Sequence, residues 1–368
     1  MSQLTLSDLD RGAAEELAVS LGEPPFRGRQ LFHWVHGLLE SRPERMANLP
    51  ASFRSRLAER VGPTVAVAER ELVSGDGLTR KRLLRLGDGR TVEAVLMEVP
   101  GAGPEVERYT VCVSSQVGCA LGCSFCVTGQ MGFGRNLSPG EIVEQVYHFE
   151  RAMRSANGAA GRRFVTNVVF MGMGEPLANY AAALRAVRLL ISQEGLGLGA
   201  RRITISTAGL IPGIERLASE GLQLGLAISL HAPSDELREK LMPIDRRYPI
   251  APLLQAADRY SSVTGRRVTY EYAMISGVND GPAQARQLAG LLSGRLCHVN
   301  LIPLNSSLDP RLKPSPRDRI IAFRQTLLDA GVPCTLRETR GRDILAACGQ
   351  LGYTEGARKK GRVASAEG

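Results

Sequence analysis

Apolar residues recur at helical spacing near the beginning of the 368-residue chain. Residues 17–60 are mostly of this kind, and Leu31, Trp34, Val35 and Leu38 form a stripe along one predicted helix face. A period of three to four residues is typical of an amphipathic helix whose apolar side packs against a core. We therefore expect a helical region at the start of the chain, with this stripe in its core.

The spacing then shortens, and the stretch 72–99 has the pattern of strands. Apolar and polar residues are mixed in 81–86 and 91–96, and a Gly-Asp-Gly sequence at 87–89 separates the two. Glycines in such a short connection favour a hairpin turn, so the pattern predicts a small antiparallel sheet. The loop 100–104 is rich in Gly and Pro and marks the predicted end of this accessory unit.

From residue 105 onward, apolar strand patterns alternate with helical ones. Repeated strand–helix units predict a parallel sheet, either open or closed into a barrel. We expect an α/β fold, with a partial (β/α) barrel over 105–351, an N-terminal accessory domain of helices and a small sheet over 1–104, and a basic flexible tail over 352–368. The predicted barrel strands are Arg108–Ser115, Phe164–Met171, Arg201–Ser206, Leu222–Ser229, Val268–Ile275, His298–Leu304 and Pro333–Arg337.

Charge and cysteine content indicate the kind of binding partner and the cellular compartment. Lys and Arg total 46 against 37 Asp and Glu, and the resulting net charge of +9 favours a polyanionic partner such as RNA. The seven cysteines are an odd number, which indicates a reducing cytoplasm rather than a disulfide framework. No apolar run approaches the length of a membrane span, so no membrane partner is expected.

Three of the cysteines, Cys119, Cys123 and Cys126, are spaced C-x3-C-x2-C directly after the first predicted barrel strand. Loops at this end of a barrel strand carry active sites. Three soft thiolates in so short a loop favour an iron–sulfur cluster, whereas a structural zinc site or a closed cluster takes a fourth ligand. Three ligands on a four-iron cluster leave one iron open, as cleavage of S-adenosylmethionine (SAM) requires. The alternative is three buried structural cysteines.

The run from Val113 to Cys126, together with Gly132–Leu137, resembles the radical SAM adenine methyltransferases of the RlmN/Cfr family. The similarity extends from about Pro25 to Leu351. Members methylate a ring carbon of adenosine in 23S ribosomal RNA, and some also methylate transfer RNA. The resemblance implies a barrel of the radical SAM type, one three-cysteine [4Fe-4S] cluster, bound SAM, an electron donor such as a flavodoxin with its reductase, and a monomeric protein.

The residues that would contact SAM are at the ends of predicted strands. In the segment 171–177, glycine permits close approach to the backbone, and a glutamate can accept hydrogen bonds from an ammonium group. A plain strand-to-helix turn is the alternative there, and a hydrogen-bonded structural histidine is the alternative at one of the other positions. The resemblance implies SAM contacts for Gly174, Glu175, Ser206, Ser229, Leu230, His231 and Asn305.

Two further cysteines, Cys112 on the first barrel strand and Cys348 near the C-terminus, match the cysteine pair of the resembled family. Without the resemblance, either would be interpreted as a small core residue. The resemblance implies that Cys348 carries the methyl group and that Cys112 resolves the reaction. Cys297 and Cys334 lie in apolar strand patterns and are predicted to be structural.

This chemistry needs a carrier because carbon 2 of adenine lies between two ring nitrogens and is not a nucleophile. The implied route places a methyl group from one SAM on Cys348, uses a second SAM to generate a radical, and frees the methylated base by a Cys112–Cys348 disulfide. Loss of the ring proton requires a base. Glu93, in an apolar strand where desolvation would raise its basicity, is the predicted proton acceptor, and a solvent-facing carboxylate is the alternative.

Contacts with RNA are harder to place. Basic residues in the accessory domain favour phosphate contacts, and an aromatic side chain there could stack on a base. The target base has to leave its stack to reach the mouth of a barrel. The candidates are Arg27, Arg29, Arg80, Lys81 and Arg82, with Phe32 or Trp34 for stacking, although Trp34 also belongs to the apolar stripe.

The leading hypothesis is methylation of carbon 2 of an adenosine in 23S ribosomal RNA, with transfer RNA as a further candidate substrate. The nearest alternative is methylation of carbon 8 by the same machinery. A second class of enzyme would be a radical SAM activase, or a sulfur-inserting enzyme, that acts on a protein. Such an enzyme would have no use for the Cys112/Cys348 pair. A non-catalytic iron–sulfur protein that binds RNA or senses redox state would bind a cluster without cleaving SAM.

Overall fold

The computed structural model describes residues 5–62, 66–101, 106–158, 163–305, 308–337 and 340–352. It begins with the predicted helical region. The helices are α1 (Arg11–Ser20), α2 (Pro25–Phe32) and α3 (Ala51–Arg60), with short 3-10 turns at Leu6–Asp8 and Pro43–Arg45. The tail over 353–368 lies outside the described residues.

The predicted apolar stripe is correct except at its last position. Leu31 and Val35 are buried and Trp34 is partly buried, but 43% of the Leu38 surface is exposed. Helix α2 continues into a π-helical turn over His33–Gly37, which widens the turn by about one residue. Leu39, with a φ of 62°, therefore takes the core position that the helical period assigns to Leu38.

The predicted hairpin forms the start of a large sheet. Strands β1 (Ala66–Val73), β2 (Thr79–Leu86) and β3 (Thr91–Pro100) pair antiparallel in sequence order, and β3 pairs antiparallel with β4 (Val106–Cys112). In this last pair Val95 lies opposite Cys112. The accessory strands and the first barrel strand therefore belong to one hydrogen-bonded sheet. Residue 104, the predicted end of the accessory domain, lies outside the described residues, and that boundary stays a prediction.

All seven predicted barrel strands are present. Beyond β4 the chain forms alternating strands and helices, with a small antiparallel pair, β5 and β6, around the cysteine loop. The remaining elements are β5 (Gln116–Gly118), α4 (Val127–Gln130), β6 (Phe133–Asn136), α5 (Pro139–Ala156), β7 (Asn167–Phe170), α6 (Tyr180–Ile191), β8 (Ile203–Thr207), α7 (Ile211–Ala218), β9 (Gly225–Ser229), α8 (Asp235–Leu241), α9 (Ile250–Thr264), β10 (Val268–Met274), α10 (Pro282–Leu292), β11 (Cys297–Pro303), α11 (Arg317–Asp329) and β12 (Cys334–Leu336).

Strands β4 and β7 to β12 pair in parallel in chain order, so the main sheet has the order β1-β2-β3-β4-β7-β8-β9-β10-β11-β12. This arrangement is the predicted partial (β/α) barrel, extended at one edge by an antiparallel sheet. The parallel strands carry their carboxyl ends at one rim, where βα loops build functional sites. Among the described residues, no helix combines the length and apolar character needed to cross a bilayer.

The C-terminal segment, residues 340–352, joins the accessory strands to the cysteine loop. Gly75 donates its amide hydrogen to Asp343 at 2.8 Å, and Val127, at the start of α4, donates to the carbonyl of Gly349 at 2.8 Å. Thr128 adds a side-chain hydrogen bond to the Leu351 carbonyl at 2.7 Å. The segment that carries Cys348 is thus hydrogen-bonded to the β1–β2 turn of the accessory unit and to α4 after the cysteine loop.

Candidate active site

The three cysteines lie in the loop between β5 and α4. The Cys119 amide donates to the Gly132 carbonyl at 2.9 Å, and Cys126 immediately precedes the first turn of α4. Gly118 has a φ of 72°, and a Cβ atom there would collide with the carbonyl oxygen of Gly132. Glycine is therefore required at the point where the strand turns into the loop.

All three cysteines line one cavity of about 170 Å³ at the carboxyl ends of the parallel strands. Burial raises the pKa of Cys119 to about 11 and also raises the pKa of Cys123 and Cys126; the nearby Cys126 thiol adds to the rise for the other two. Buried thiols that resist ionisation suit a cationic cluster, whose charge would stabilise the thiolates.

Within the described ranges, no three His, Cys, Asp or Glu side chains are grouped tightly enough for a single metal ion. The chemistry of the donor set is what bears on the group: three thiolates in one short loop suit an iron–sulfur cluster with one open iron, whereas a structural zinc site takes four ligands.

Glu175 lies beside the cysteines, in the loop that follows β7. Its carboxylate accepts a hydrogen bond from the Ala208 amide at 2.7 Å and another from the Leu177 amide at 2.9 Å. Burial raises its pKa to about 7, against the lowering effect of these bonds. Gly174, with a φ of 96°, packs against Gln116 where any side chain would clash. A carboxylate has about four acceptor positions, so Glu175 retains capacity for a ligand ammonium group.

The strand-end residues predicted to contact SAM lie at the same rim. Ser206 on β8 and Ser229 at the end of β9 line the cavity. His231 also lines it; its Nδ1 accepts a hydrogen bond from the Ala273 amide at 2.9 Å, and burial lowers its pKa to about 3. The side chain of Leu230 is fully buried in the core and is not among the described cavity-lining residues.

Asn305 connects this cavity to the C-terminal segment. Its side-chain amide donates to the carbonyl oxygen of Cys348 at 3.1 Å, and its oxygen accepts from Arg342 at 3.3 Å. Both Asn305 and Cys348 line the 170 Å³ cavity. The structure therefore places the predicted methyl carrier beside the predicted SAM contacts.

Cys112 and Cys348 both line a second, larger cavity. This cavity, of about 610 Å³, occupies the interior of the barrel. Burial raises the pKa of Cys112 to about 12, and the nearby Cys348 thiol contributes to the rise. By contrast Cys297 and Cys334 are buried within β11 and β12 and, among the described residues, line neither cavity.

Glu93 lies on β3 beneath the C-terminal segment. Lys81 Nζ is 2.9 Å from its Oε1 and also donates to the Leu345 carbonyl at 3.0 Å. Gly352 donates its amide hydrogen to the other carboxylate oxygen at 2.7 Å. Only 6% of Glu93 is exposed, which excludes the solvent-facing alternative, but within the described chain it lines neither of the two cavities.

Two predicted RNA contacts are wrong. Lys81 is 5% exposed and is paired with Glu93, so it cannot reach a phosphate. Phe32 is 3% exposed and cannot stack on a base. Both errors have one cause, because a sequence pattern gives residue type without showing which face of a strand or helix is covered.

Sequence reasoning missed three polar residues, of which two are buried and Arg337 is partly exposed. Arg238 is fully buried and donates to the carbonyls of Ala208 and Leu230 and to Asp245, which fixes the ends of β8 and β9. Glu271 on β10 and Arg337 after β12 line both cavities. The strand periodicity places Glu271 on an inward face, but no local motif marks it as functional.

A partial parallel barrel with a three-cysteine loop after its first strand is the architecture of a radical SAM enzyme, and residues 113–289 match the Radical SAM superfamily. Residues 4–62 match the ribosomal RNA large subunit methyltransferase N-terminal domain. The chain belongs to the RlmN family of radical SAM methyltransferases.

Curated relatives extend over nearly the whole chain. A protein of Frankia alni named "probable dual-specificity RNA methyltransferase RlmN" is 51% identical over 98% of this chain and 85% of its own length. A protein of the same name from Moorella thermoacetica is 52% identical over 92% of this chain and 94% of its own. The crystal structure of a radical SAM methyltransferase from Sphaerobacter thermophilus superimposes with a TM-score of 0.89 at 50% identity, covering 95% of this chain and 99% of that one.

Proposed function

We propose that this protein is a SAM-dependent RNA methyltransferase that methylates carbon 2 of an adenosine in 23S ribosomal RNA and also accepts transfer RNA. The observation that carries this proposal is the shared cavity of Cys112 and Cys348, next to the three-cysteine loop. A carrier cysteine and a resolving cysteine are needed only when the target carbon cannot attack a methyl sulfonium directly. The names of the relatives support the RNA substrate.

Cys119, Cys123 and Cys126 would hold a [4Fe-4S] cluster, and Gly174, Glu175, Ser206, Ser229, Leu230, His231 and Asn305 would bind SAM. When bound, this pair supplies an electrophilic methyl group and a carbon-centred radical. Glu175 would accept a hydrogen bond from the ammonium group of SAM. In the described structure its hydrogen-bond donors include two backbone amides but no charged side chain, so it still lacks a cationic partner. The buried position of His231 keeps its ring neutral, so it can donate a hydrogen bond from Nε2 without adding charge.

Cys348 would act first, as the nucleophile that takes up the methyl group. It is exposed and lines both cavities, so its sulfur can meet the cofactor on one side and the RNA base on the other. The Asn305 hydrogen bond to its carbonyl holds this position. The carrier carbon bonds to the adenine ring as a radical, so the adduct must return one electron to the redox system that supplied it and lose the proton of carbon 2. The base is then attached to the protein through the Cys348 sulfur.

Glu93 would take the proton from carbon 2. A buried carboxylate can serve as a base, but Glu93 is beneath the C-terminal segment and is bound by Lys81 and Gly352. Proton transfer to it therefore requires movement of residues 340–352 or a relay through that segment. Lys81 would then stabilise the carboxylate between turnovers.

Cys112 would release the product. Its thiolate attacks the Cys348 sulfur, the carbon–sulfur bond to the base breaks, and the released carbon keeps that electron pair and takes up a proton. A disulfide between Cys112 and Cys348 remains and must be reduced before the next turnover. Because burial raises the pKa of Cys112 to about 12, its proton has to pass to a base as the sulfur attacks, and the released carbon, which takes up a proton, can be that base.

The same proposal assigns partners and setting. A flavodoxin with its reductase is a suitable electron donor, and the protein would act as a monomer in the cytoplasm. The odd number of cysteines, with three in one loop, supports a reducing compartment. The net charge of +9 supports binding of RNA, with Arg27, Arg29, Arg80 and Arg82 left as candidate phosphate contacts in the accessory domain over 1–104.

The deciding experiment is anaerobic reconstitution with iron, sulfide, reductant, SAM and protein-free 23S ribosomal RNA, followed by mass spectrometry of nucleosides. We expect 2-methyladenosine. Formation of 8-methyladenosine would assign the carbon 8 reaction instead. Cleavage of SAM without a methylated nucleoside would point to another RNA or to a protein substrate, and an intact cluster without cleavage would contradict an enzymatic role.

A further inference from the structure

Glu271 is a buried carboxylate that the proposed reaction does not use. Only 4% of it is exposed, and Asn300 donates a hydrogen bond to its Oε1 at 3.0 Å. Its Oε2 has no hydrogen-bond partner among the described residues, and the Arg337 guanidinium stays 3.8 Å away. Buried carboxylate oxygens are almost always hydrogen-bonded, so this oxygen indicates a missing donor.

The position of Glu271 identifies where that donor would be. Glu271 lines both cavities and shares the larger one with Cys112 and Cys348. At about 610 Å³ this cavity is within the range of ligand pockets, and threonine or asparagine side chains from six of the parallel strands line it. These are Thr110, Asn167, Thr204, Thr269, Asn300 and Thr335. The interior of the barrel is thus a polar pocket rather than a packed apolar core.

We propose that Glu271 accepts a hydrogen bond from the exocyclic amino group of the adenine that the enzyme methylates. This inference rests on the proposed function, because the base must occupy the cavity in which Cys348 binds it and Cys112 releases it. The amino-bearing carbon and carbon 2 of adenine flank the same ring nitrogen. A group that lines both cavities alongside Cys348 can therefore meet the amino group while carbon 2 faces the sulfur.

The chemistry of a carboxyl group also gives selectivity among bases. A carboxyl oxygen accepts a hydrogen bond from the amino group of adenine, whereas guanine presents a carbonyl oxygen at that position. Ionised or protonated, Glu271 retains an acceptor oxygen. Asn300 is a positioning residue, since its hydrogen bond fixes Oε1. The Arg337 guanidinium lies 3.8 Å from Oε2, too far for a hydrogen bond, so Oε2 still lacks a donor.

SAM carries an adenine of its own, which is the other source of the same amino group. The larger cavity distinguishes the two. Ser206, Ser229 and His231, which are proposed to bind SAM, line the 170 Å³ cavity but, in the described structure, do not line the larger one; among the proposed SAM contacts, Asn305 lines both. Glu271 shares the larger cavity with the Cys112/Cys348 pair, and this favours the adenine of the RNA.

The test compares two RNA substrates with the reconstituted holoenzyme. One carries adenosine at the methylated position and the other carries purine riboside, which lacks only the amino group. We expect the wild-type kcat/KM to be about 10- to 100-fold higher for adenosine, as for loss of a hydrogen bond to a charged group. In Glu271→Ala this preference should fall to about 1, and in Glu271→Gln part of it should remain, because the amide keeps an acceptor oxygen.

Glu215→Ala is the matched control, since Glu215 is a half-exposed carboxylate on α7 that, in the described structure, lines neither cavity, and it should keep the wild-type ratio. A wild-type enzyme without preference for adenosine would overturn the inference with no variant needed. An unchanged ratio in Glu271→Ala would also overturn it. If the KM for SAM rose in that variant as well, the carboxylate would belong to the adenine of SAM instead. Failure of the wild type to methylate the adenosine substrate would overturn the proposed function together with this inference.

Discussion

Asn305 holds the backbone of Cys348 through a hydrogen bond of 3.1 Å from its side-chain amide to the Cys348 carbonyl. Asn305, which follows the end of β11, thereby connects the proposed SAM cavity to the proposed methyl carrier. The carrier is near the end of a chain segment with few strands or helices of its own, so its position depends on such bonds. If Asn305 binds SAM as proposed, this side chain links SAM binding to the placement of Cys348.

Replacing Asn305 with Ala should slow methyl loading of Cys348 by about 10-fold or more, because the carbonyl loses its partner and the carrier loses its fixed position. Loading is measured by mass spectrometry of the protein after incubation with SAM. Asn157→Ala, at an exposed helix end, is the matched control and should load normally. Normal loading in Asn305→Ala would show that the bond does not position the carrier.

Replacing Cys123 with Ala should prevent assembly of the cluster, because two thiolates cannot retain it in this loop. Iron content and visible absorption after anaerobic reconstitution provide the measurement, and formation of 5′-deoxyadenosine should also disappear. Cys297→Ala removes a buried cysteine in a strand and should retain both signals. An intact cluster in Cys123→Ala would refute the ligand assignment.

Replacing Cys112 with Ala should leave methyl loading intact but trap RNA covalently on the protein, since no thiol can attack the Cys348 sulfur. On a denaturing gel the adduct migrates more slowly than the free protein, and ribonuclease treatment removes most of this shift. Cys334→Ala serves as the comparison and should release product. Free methylated RNA at the wild-type rate from Cys112→Ala would contradict the resolving role.

Replacing Lys81 with Met should destabilise the fold by about 3 kcal/mol, because it leaves the buried carboxylate of Glu93 without its ion-pair partner. Urea unfolding monitored by circular dichroism gives the free energy of unfolding. Arg80→Met, at a partly exposed neighbouring position, should change it by less than about 0.5 kcal/mol. Equal effects of the two substitutions would mean that the buried pair contributes nothing specific.

Glu175 should make the cofactor-free protein less stable as pH rises. Burial raises its folded-state pKa from 4.5 to about 7, so the folded state holds a proton that the unfolded state has lost between these values. The contribution of Glu175 to the free energy of unfolding should therefore decrease by roughly 3 kcal/mol from pH 4.5 to 7. The difference between wild type and Glu175→Gln, followed by urea unfolding across this range, isolates the effect. A pH-independent difference would contradict it.

Local patterns in the sequence predict most of the fold and many of the residues proposed to take part in the reaction. Strand–helix alternation places all seven barrel strands, and the spacing of Cys119, Cys123 and Cys126 by itself indicates a cluster. The pairing of Cys112 with Cys348 is implied only by family resemblance, since no local pattern brings together two residues so distant in the chain. The two share one cavity because β4 and the C-terminal segment meet inside the barrel.

The remaining errors and omissions concern tertiary environment. Helical periodicity places Leu38 in the core because it assumes a regular turn throughout, but one π-helical turn rotates this residue outward. Lys81 has the sequence context of a surface cation, yet its partner Glu93 is on the neighbouring strand. Glu271 escapes sequence reasoning because its significance depends on a missing hydrogen-bond partner, which only three-dimensional contacts reveal.

The continuous ladder from β3 to β4 determines how this molecule would respond to dissection. A protein engineer guided by the sequence would separate the barrel from the accessory unit near residue 104. That cut would remove the neighbour of β4 and leave a bare strand edge beside Cys112, open to pairing with other chains. The barrel should therefore be expressed and evolved together with the strands that precede it.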